Sequence, residues 1–325
     1  MSATLGDAPQ AKATYSREEI VQLLEQHNVQ FLLLNFIAFM GTNKNVEVPR
    51  SQFKKALDGE IMFDGSSIEG FVRIEESDML LQPDYNTFRI LPIHGDDAQG
   101  KVARLICNVA NTDGSAFEGC PRTALKRQIE AAREMGYSMM TGPEAEFFLF
   151  ERRDDGTLTT VTNDEAGYFD AAPLDEAELP RRQIINYLNA LGLEVEASHH
   201  EVAPGQHEID FRYADALGTA DNLTLFKYVV RRGAKNHGLL ATFMPKPIFA
   251  INGSGMHIHV SLFDLEGNVN QFEDKASEHG LSETALHFIA GITHHAGAIC
   301  AITNPLVNSF KRLVPGYEAP THVAW

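Results

Sequence analysis

Apolar and polar positions along this chain alternate with two different periods, and the changes of period mark its elements. Ser16-Arg17-Glu18-Glu19 has capping-box spacing, and Ile20, Leu23 and Leu24 follow at helical intervals, which predicts a helix from residue 17. Residues 31–39 form a nearly unbroken apolar run and read as a buried strand. Shorter apolar segments at 89–93 and 102–109, with turn residues between them, predict two more strands. Residues 15–110 therefore form a small α+β unit, preceded by a disordered tail over residues 1–14. A boundary lies at 114–121, where Pro121 opens a helix that runs through Leu125, Ile129 and Ala132 to a stop at Gly136. Further helices are predicted at 176–191, 220–237 and 282–303, the last capped by Ser282 and ended by Asn304-Pro305. Strands are predicted at 137–150, 193–200, 206–213 and 255–263.

Composition narrows the class. A chain of 325 residues with 44% hydrophobic and 22% charged positions is long enough for two globular domains and is neither disordered nor fibrous. Lys and Arg number 27 against 44 Asp and Glu, a net charge of −17 that repels phosphate backbones and excludes nucleic acid as the main partner. The same balance accompanies sites that collect cations, or simply a solvated surface. Three cysteines, Cys107, Cys120 and Cys300, lack metal-type spacing and point to a reducing compartment. The first residues lack the apolar run of a secretory signal. The most apolar stretch, 31–40, contains Asn35 and is about half the length a membrane span requires. These features predict a cytoplasmic protein without a membrane partner.

Two apparent motifs fail on their context. Gly95-Asp96-Asp97-Ala98-Gln99-Gly100-Lys101 approximates a phosphate-binding loop but lacks the Ser or Thr that would meet magnesium. Two aspartates stand where phosphates would rest, and a strand follows instead of a helix, so the segment reads as a hairpin turn. Asn252-Gly253-Ser254-Gly255 is half of a dinucleotide fingerprint, without its third glycine or its helix.

Four segments carry chemistry together. In Gly142-Pro143-Glu144-Ala145-Glu146 the glutamates lie two apart at the start of a very apolar strand, so they share a face. Carboxylates in such surroundings need a cation or a proton, unless the strand edge lets them reach water. Residues 199–208 add Glu201 and Glu208 on either side of Pro204-Gly205, a turn signal that places the two across a hairpin. His257 and His259, after a glycine-rich approach, share one strand face. Two carboxylates 4 Å apart repel by roughly 4 kcal/mol at an effective dielectric near 20, so gathering four calls for divalent ions. Mostly oxygen donors favour Mg2+, and one imidazole admits Mn2+. Glu144 and Glu146 can then serve one ion each of a pair, an arrangement suited to phosphoryl chemistry. Residues 308–320 supply Lys311-Arg312, able to clamp phosphate or carboxylate oxygens, on what reads as a loop with hinge-like Pro and Gly around Glu318.

Five blocks in order, Met62-Phe63-Asp64-Gly65-Ser66-Ser67, residues 142–147, 199–210, 252–257 and 308–320, make the chain resemble bacterial type I glutamine synthetase from about residue 15 onward. The resemblance implies an α+β fold: a β-grasp-like N-terminal domain and a catalytic domain over 118–325 with a curved antiparallel sheet, incomplete at its C-terminus. It implies ATP-dependent ligation of ammonia to the γ-carboxylate of L-glutamate through γ-glutamyl phosphate, with Mg2+ or Mn2+ and ATP. It also implies a homo-oligomer, a dodecamer of two hexameric rings with sites shared between subunits, and a nitrogen-regulatory protein as a further partner.

By the same resemblance Glu146, Glu201 and Glu208 hold a first metal, and Glu144 and His257 a second. Glu196, His259 and Ser261 lie near ATP. Asn252, Gly253 and Arg312 bind glutamate, with Arg312 also facing the transferred phosphate. Asp64 of the adjacent subunit, with Ser67 nearby, binds and deprotonates ammonium, Glu318 belongs to a closing flap, and Arg73 matches a feedback-inhibition position. The family pattern continues past residue 325 with further metal, ATP and glutamate groups. That departure predicts a weakened second-metal site and nucleotide clamp, and keeps two alternatives in view: a relative using a different amine, or a catalytically silent chain acting as a regulatory or ring-assembly subunit.

Overall fold

The computed structural model describes residues 14–71, 77–92, 100–153 and 155–318. Residues 1–13 of the expected tail, the turn at Gly95 and Arg73 lie outside the described residues. Two compact units are present, Met1–Glu130 with Tyr187–Leu193, and Ala131–Asn186 with Glu194–Trp325.

The first unit opens with α1, Arg17–Gln26, whose capping box is complete. Ser16 Oγ accepts from Glu19 N at 3.2 Å, while Glu19 Oε2 accepts from Ser16 N at 2.8 Å. There follow β1 (Val29–Ile37), β2 (Asn43–Pro49), α2 (Phe53–Leu57), β3 (Ile61–Asp64), β4 (Asp78–Ile90) and β5 (Lys101–Ala110). The sheet order is β2-β1-β5-β4-β3, with β1 and β5 parallel and the other pairs antiparallel. Leu32, Leu34, Leu81 and Leu105 pack with Ile20 and Leu57 into its core.

Strand β1 starts two residues before the predicted 31–39 and ends at Ile37, where Gly41 N bonds Ala38 O in a turn. The strand expected at 89–93 is the end of a longer one, β4. Its register shifts between Asp84 and Arg89, and Thr87 Oγ1 accepts from Ile106 N at 2.7 Å where a backbone carbonyl would otherwise serve. The helix α3, Pro121–Glu134, brings the buried Arg122 to Asp84 Oδ2 at 2.7 Å and Asn108 Oδ1 at 2.9 Å.

The second unit is organised on one long strand, β6 (Ser138–Arg152). After it come β7 (Leu158–Thr162), α4 (Glu178–Ala190), β8 (Val195–His200), β9 (Gln206–Phe211), β10 (Ala214–Asp215) and α5 (Ala216–Asn236). Then follow β11 (Leu239–Thr242), β12 (Met256–Phe263), α6 (Glu283–Thr303) and α7 (Val307–Arg312). Five strands pair with β6, all antiparallel: β10, β9 and β7 along one edge, β12 and β11 along the other. Strand β8 extends the sheet beyond β9. Fully buried Phe147 packs against Phe226 of α5 and against Phe243, at ring separations of 6.4 and 5.7 Å.

Helix α5 begins four residues before the predicted 220, because Asp215 Oδ1 caps it by accepting from Leu217 N and Gly218 N. Helix α6 is capped by Ser282 as expected. It is the one helix among the described residues long and apolar enough to cross a membrane, by length and composition only. The most apolar stretch of the sequence, 31–40, lies elsewhere, and Thr293, His294 and His295 interrupt the apolar run of α6.

Candidate metal and substrate site

The register around β6 assembles the acidic face. Glu144 stands between Asp210 of β9 and His257 of β12, and Glu146 stands opposite Glu208. Glu208 in turn pairs with His199 of β8. Directly paired residues, and residues two apart, point the same way, so all six occupy one face of the sheet. The intervening positions Ala145, Phe147 and Ile209 are buried on the other face. Alternation of acidic and apolar side chains along two neighbouring strands thus produces a charged surface backed by a dry one.

Glu201 does not sit across the hairpin from Glu208, as its spacing with the Pro-Gly turn predicted. It lies one step past β8, where Glu201 N bonds Gln206 O at 2.7 Å and closes the ladder. His199 still brings the two acids together, its Nε2 lying 2.9 Å from Glu201 Oε1 and 3.7 Å from Glu208 Oε1. Glu146 Oε2 accepts from Gln206 Nε2 at 2.6 Å and from Gly255 N at 3.0 Å. Glu144 Oε1 lies 2.6 Å from His259 Nε2, and its Oε2 lies 3.5 Å from His257 Nδ1.

These groups open onto a cavity of about 420 Å³. Its lining joins Glu144, Glu146, Glu201, Glu208 and His257 to Asn252, Gly253, Arg312 and Glu318, with Tyr168, Val202, Gln206 and Tyr317 between them. The Lys311-Arg312 pair, expected on a loop, closes the short helix α7. Asn308 holds that helix to residue 246 by a reciprocal pair, donating to Lys246 O at 3.0 Å and accepting from Lys246 N at 2.8 Å. Arg312 then passes so close to Gly255 that a Cβ there would collide with its Nη2 and lie 3.0 Å from Glu146 Oε1. A Cβ at Gly253 would likewise meet Pro245 O. The half-fingerprint Asn252-Gly253-Ser254-Gly255 is therefore a close backbone approach to a cation and a carboxylate, with no nucleotide loop about it.

Electrostatics fit a divalent cation. Burial pushes the Glu208 carboxyl up to about 8, with further upward pressure from Asp210, Glu146, Glu201 and Glu144. Burial also raises Glu146 and Asp210, with Glu201 adding to the first and Glu144 to the second. Asp210 Oδ1 is buried with no hydrogen-bond partner. His199, Glu208 and Asp210 offer ligand atoms within 4.8 Å of one another. A face built of carboxylates and imidazoles, with mutual repulsion and an orphaned oxygen, has the donor chemistry of a divalent-cation site.

Other predicted residues fall elsewhere. Glu196 is exposed on β8, and Ser261 stands opposite Met140 at the far end of β12; neither lines the cavity. His259 is exposed beside Glu144. Asp64 and Ser67 belong to the first unit, where Asp64 Oδ1 accepts from Ser66 N at 2.8 Å and Ser66 Oγ at 2.6 Å, holding its carboxyl below the usual range. Asp210 and His199 join this face although neither is among the site residues predicted from the sequence. Asp210 carries the signal already used for Glu144 and Glu146, since it follows Glu208 by two positions on one strand.

A model of the glutamine synthetase catalytic domain matches residues 118–325, and one of the glutamine synthetase beta-grasp domain matches residues 28–112. The chain belongs to the glutamine synthetase family. Its α+β architecture is accordingly a β-grasp domain followed by the catalytic domain of these glutamate–ammonia ligases. A glutamine synthetase of Thermus thermophilus is 62% identical over 313 residues, covering 96% of this chain and 70% of the relative. One of Clostridium saccharobutylicum is 56% identical over the same number of residues, with the same coverage. A cryo-electron-microscopy structure of Plasmodium falciparum glutamine synthetase superposes with a TM-score of 0.85 at 27% identity, over 95% of this chain and 65% of that one. The chain thus spans about two thirds of the length of the family members it matches.

Proposed function

We propose that this chain ligates ammonia to the γ-carboxylate of L-glutamate with ATP, giving L-glutamine, ADP and phosphate through γ-glutamyl phosphate. The supporting observation is a single cavity whose lining joins the carboxylate–imidazole face to the Arg312 guanidinium. Glu146, Glu201 and Glu208 would hold a first Mg2+ or Mn2+, and Glu144 and His257 a second. When bound, such ions neutralise the nucleotide phosphates and so permit phosphoryl transfer.

The chain's own residues do the positioning. Arg312, 3.3 Å through its Cγ from where a Gly253 Cβ would stand, points a fixed positive charge into the cavity for the substrate carboxylate and the phosphoryl group it receives. Asn252 and Gly253 bind the rest of glutamate. Asn252 Nδ2 also donates to Tyr317 O at 3.1 Å and Glu318 Oε2 at 3.4 Å, which ties the Glu318 flap to the glutamate turn. A closed flap keeps water from the acyl phosphate. Glu196, His259 and Ser261 flank ATP. Asp64, with Ser67, comes from a neighbouring subunit to bind ammonium and take its proton; the two bonds from Ser66 keep that carboxylate ionised for the task. Arg73 serves feedback inhibition. The assembly is a cytoplasmic dodecamer of two hexameric rings, open to a nitrogen-regulatory protein.

The test is oxygen tracing. With glutamate labelled by 18O in its γ-carboxylate, one labelled oxygen passes into inorganic phosphate in the complete reaction. Unlabelled phosphate released alongside glutamine would exclude the acyl phosphate.

A further inference from the structure

Behind the acidic face, out of contact with the cavity, lies a buried cluster of Asp164, His200 and His207. Their ligand atoms approach as closely as those of a metal site, but their hydrogen bonds assign them another task. His200 is fully buried, and its Nδ1 donates to Glu201 O at 2.7 Å. Its Nε2 lies 2.9 Å from Asp164 Oδ1, so both ring nitrogens are engaged. His207 Nδ1 faces Arg181 Nη1 at 3.1 Å. A guanidinium only donates, so Nδ1 accepts and the hydrogen stays on Nε2, which leaves no lone pair for a metal.

Asp164 is the hub. Its Oδ1 also accepts from Gly205 N at 3.0 Å, and its Oδ2 accepts from Asn163 Nδ2 at 2.8 Å and Glu176 N at 3.3 Å. One carboxylate therefore ties together the end of β8, the turn before β9, the segment after β7 and the approach to α4. The turn is pressed home on its other side as well. Gly205 O accepts from Leu149 N at 2.8 Å, and with φ at +64° a Cβ there would lie 2.9 Å from both Leu149 O and Thr162 Cβ. Between these anchors the turn presents two groups to the acidic face: the Glu201 carboxylate, and the Gln206 amide that grips Glu146 Oε2.

We infer that Asp164, acting through His200 and the Gly205 amide, is a positioning residue that locks the 201–206 turn and so sets the relative placement of Glu201 and Glu146 for a divalent ion. The inference rests on the metal reading given above. Asp164 touches neither the cavity nor any group that meets substrate. Outer-sphere partners of this kind hold metal ligands in the orientation binding requires, and their loss costs roughly 10–100-fold in metal affinity.

The experiment compares Mn2+ binding by electron paramagnetic resonance and titration in the wild-type 325-residue chain, Asp164→Ala and Asp164→Asn, alongside hydrogen exchange of the metal-free proteins. Asp164→Ala should bind Mn2+ roughly 10–100-fold more weakly and with an altered spectrum, and amides of 201–206 should exchange faster. Asp164→Asn keeps an oxygen toward Gly205 and His200 and should recover most of the affinity. Folded Asp164→Ala with wild-type affinity, spectrum and exchange would overturn the inference, even with a lowered melting temperature. Should Asp164→Ala fail to fold, His200→Gln carries the test: weaker Mn2+ binding supports the turn lock and unchanged binding overturns it. A wild-type chain that shows no bound Mn2+ would overturn the metal reading and this inference with it. Wild-type binding with unaltered variants overturns this inference alone.

Discussion

At the scale of single residues, the site is built from acids that cannot stand together without a counter-charge. Glu208 shows this most strongly, being buried and facing four other carboxylates, with its proton retained to about 8. Replacing it should relieve repulsion and remove a ligand at once. Glu208→Ala is therefore expected to fold normally yet bind Mn2+ more than about tenfold more weakly by calorimetry, since even an outer-sphere partner is worth that much. Unchanged affinity would remove Glu208 from the ligand set. Much of this face was legible in the linear order of residues. The i, i+2 pairs Glu144/Glu146 and His257/His259 announce a common face, because a strand has no other way to arrange them. Asp210 carries the same signal two residues after Glu208. Tyr168 and Tyr317 carry none, as their places on the cavity depend on loops whose path only the folded chain shows.

At the scale of elements, local chemistry set boundaries where it was strong. Ser16 and Ser282 each satisfy an otherwise orphaned helical N–H, and both helices start where those caps predict. Ser16→Ala should cost about 1 kcal/mol in denaturant unfolding of the first unit. No loss would mean that α1 is held by its packing through Ile20 and Leu24 and by the Arg17–Asp58 ion pair, with no help from the cap. Other elements stayed hidden for physical reasons. Strand β2 reads Asn-Lys-Asn-Val-Glu-Val-Pro at a sheet edge, half in water, so its pattern lacks an apolar run. Strand β7 is likewise short and largely exposed. In β4, Pro83 and Asn86 have turn chemistry, but the strand tolerates them through a register shift and the Thr87 hydroxyl. Helix α7 was hidden by its neighbours Pro305 and Pro315, and only the reciprocal Asn308–Lys246 bonds show why Arg312 is held in place.

At the scale of the molecule, an acidic chain gathers a cluster of carboxylates on one face of its second unit and sets a guanidinium beside it. Family membership was visible in five spaced blocks of sequence, and matches across both domains bear it out. The geometry adds the register that makes those blocks converge: Asp210, Glu144 and His257 abreast, Glu146 facing Glu208, and Arg312 over Gly255. In the proposed reaction this cavity couples ATP cleavage to ligation of glutamate and ammonia. Phosphate release from ATP by the 325-residue chain, with Mn2+ or Mg2+ present and each of glutamate, ammonium and metal omitted in turn, tests it most directly. Release that requires all of them, with glutamine formed in equal amount, is the predicted result. Release indifferent to glutamate and ammonium, or none from a folded chain that binds Mn2+, would contradict it.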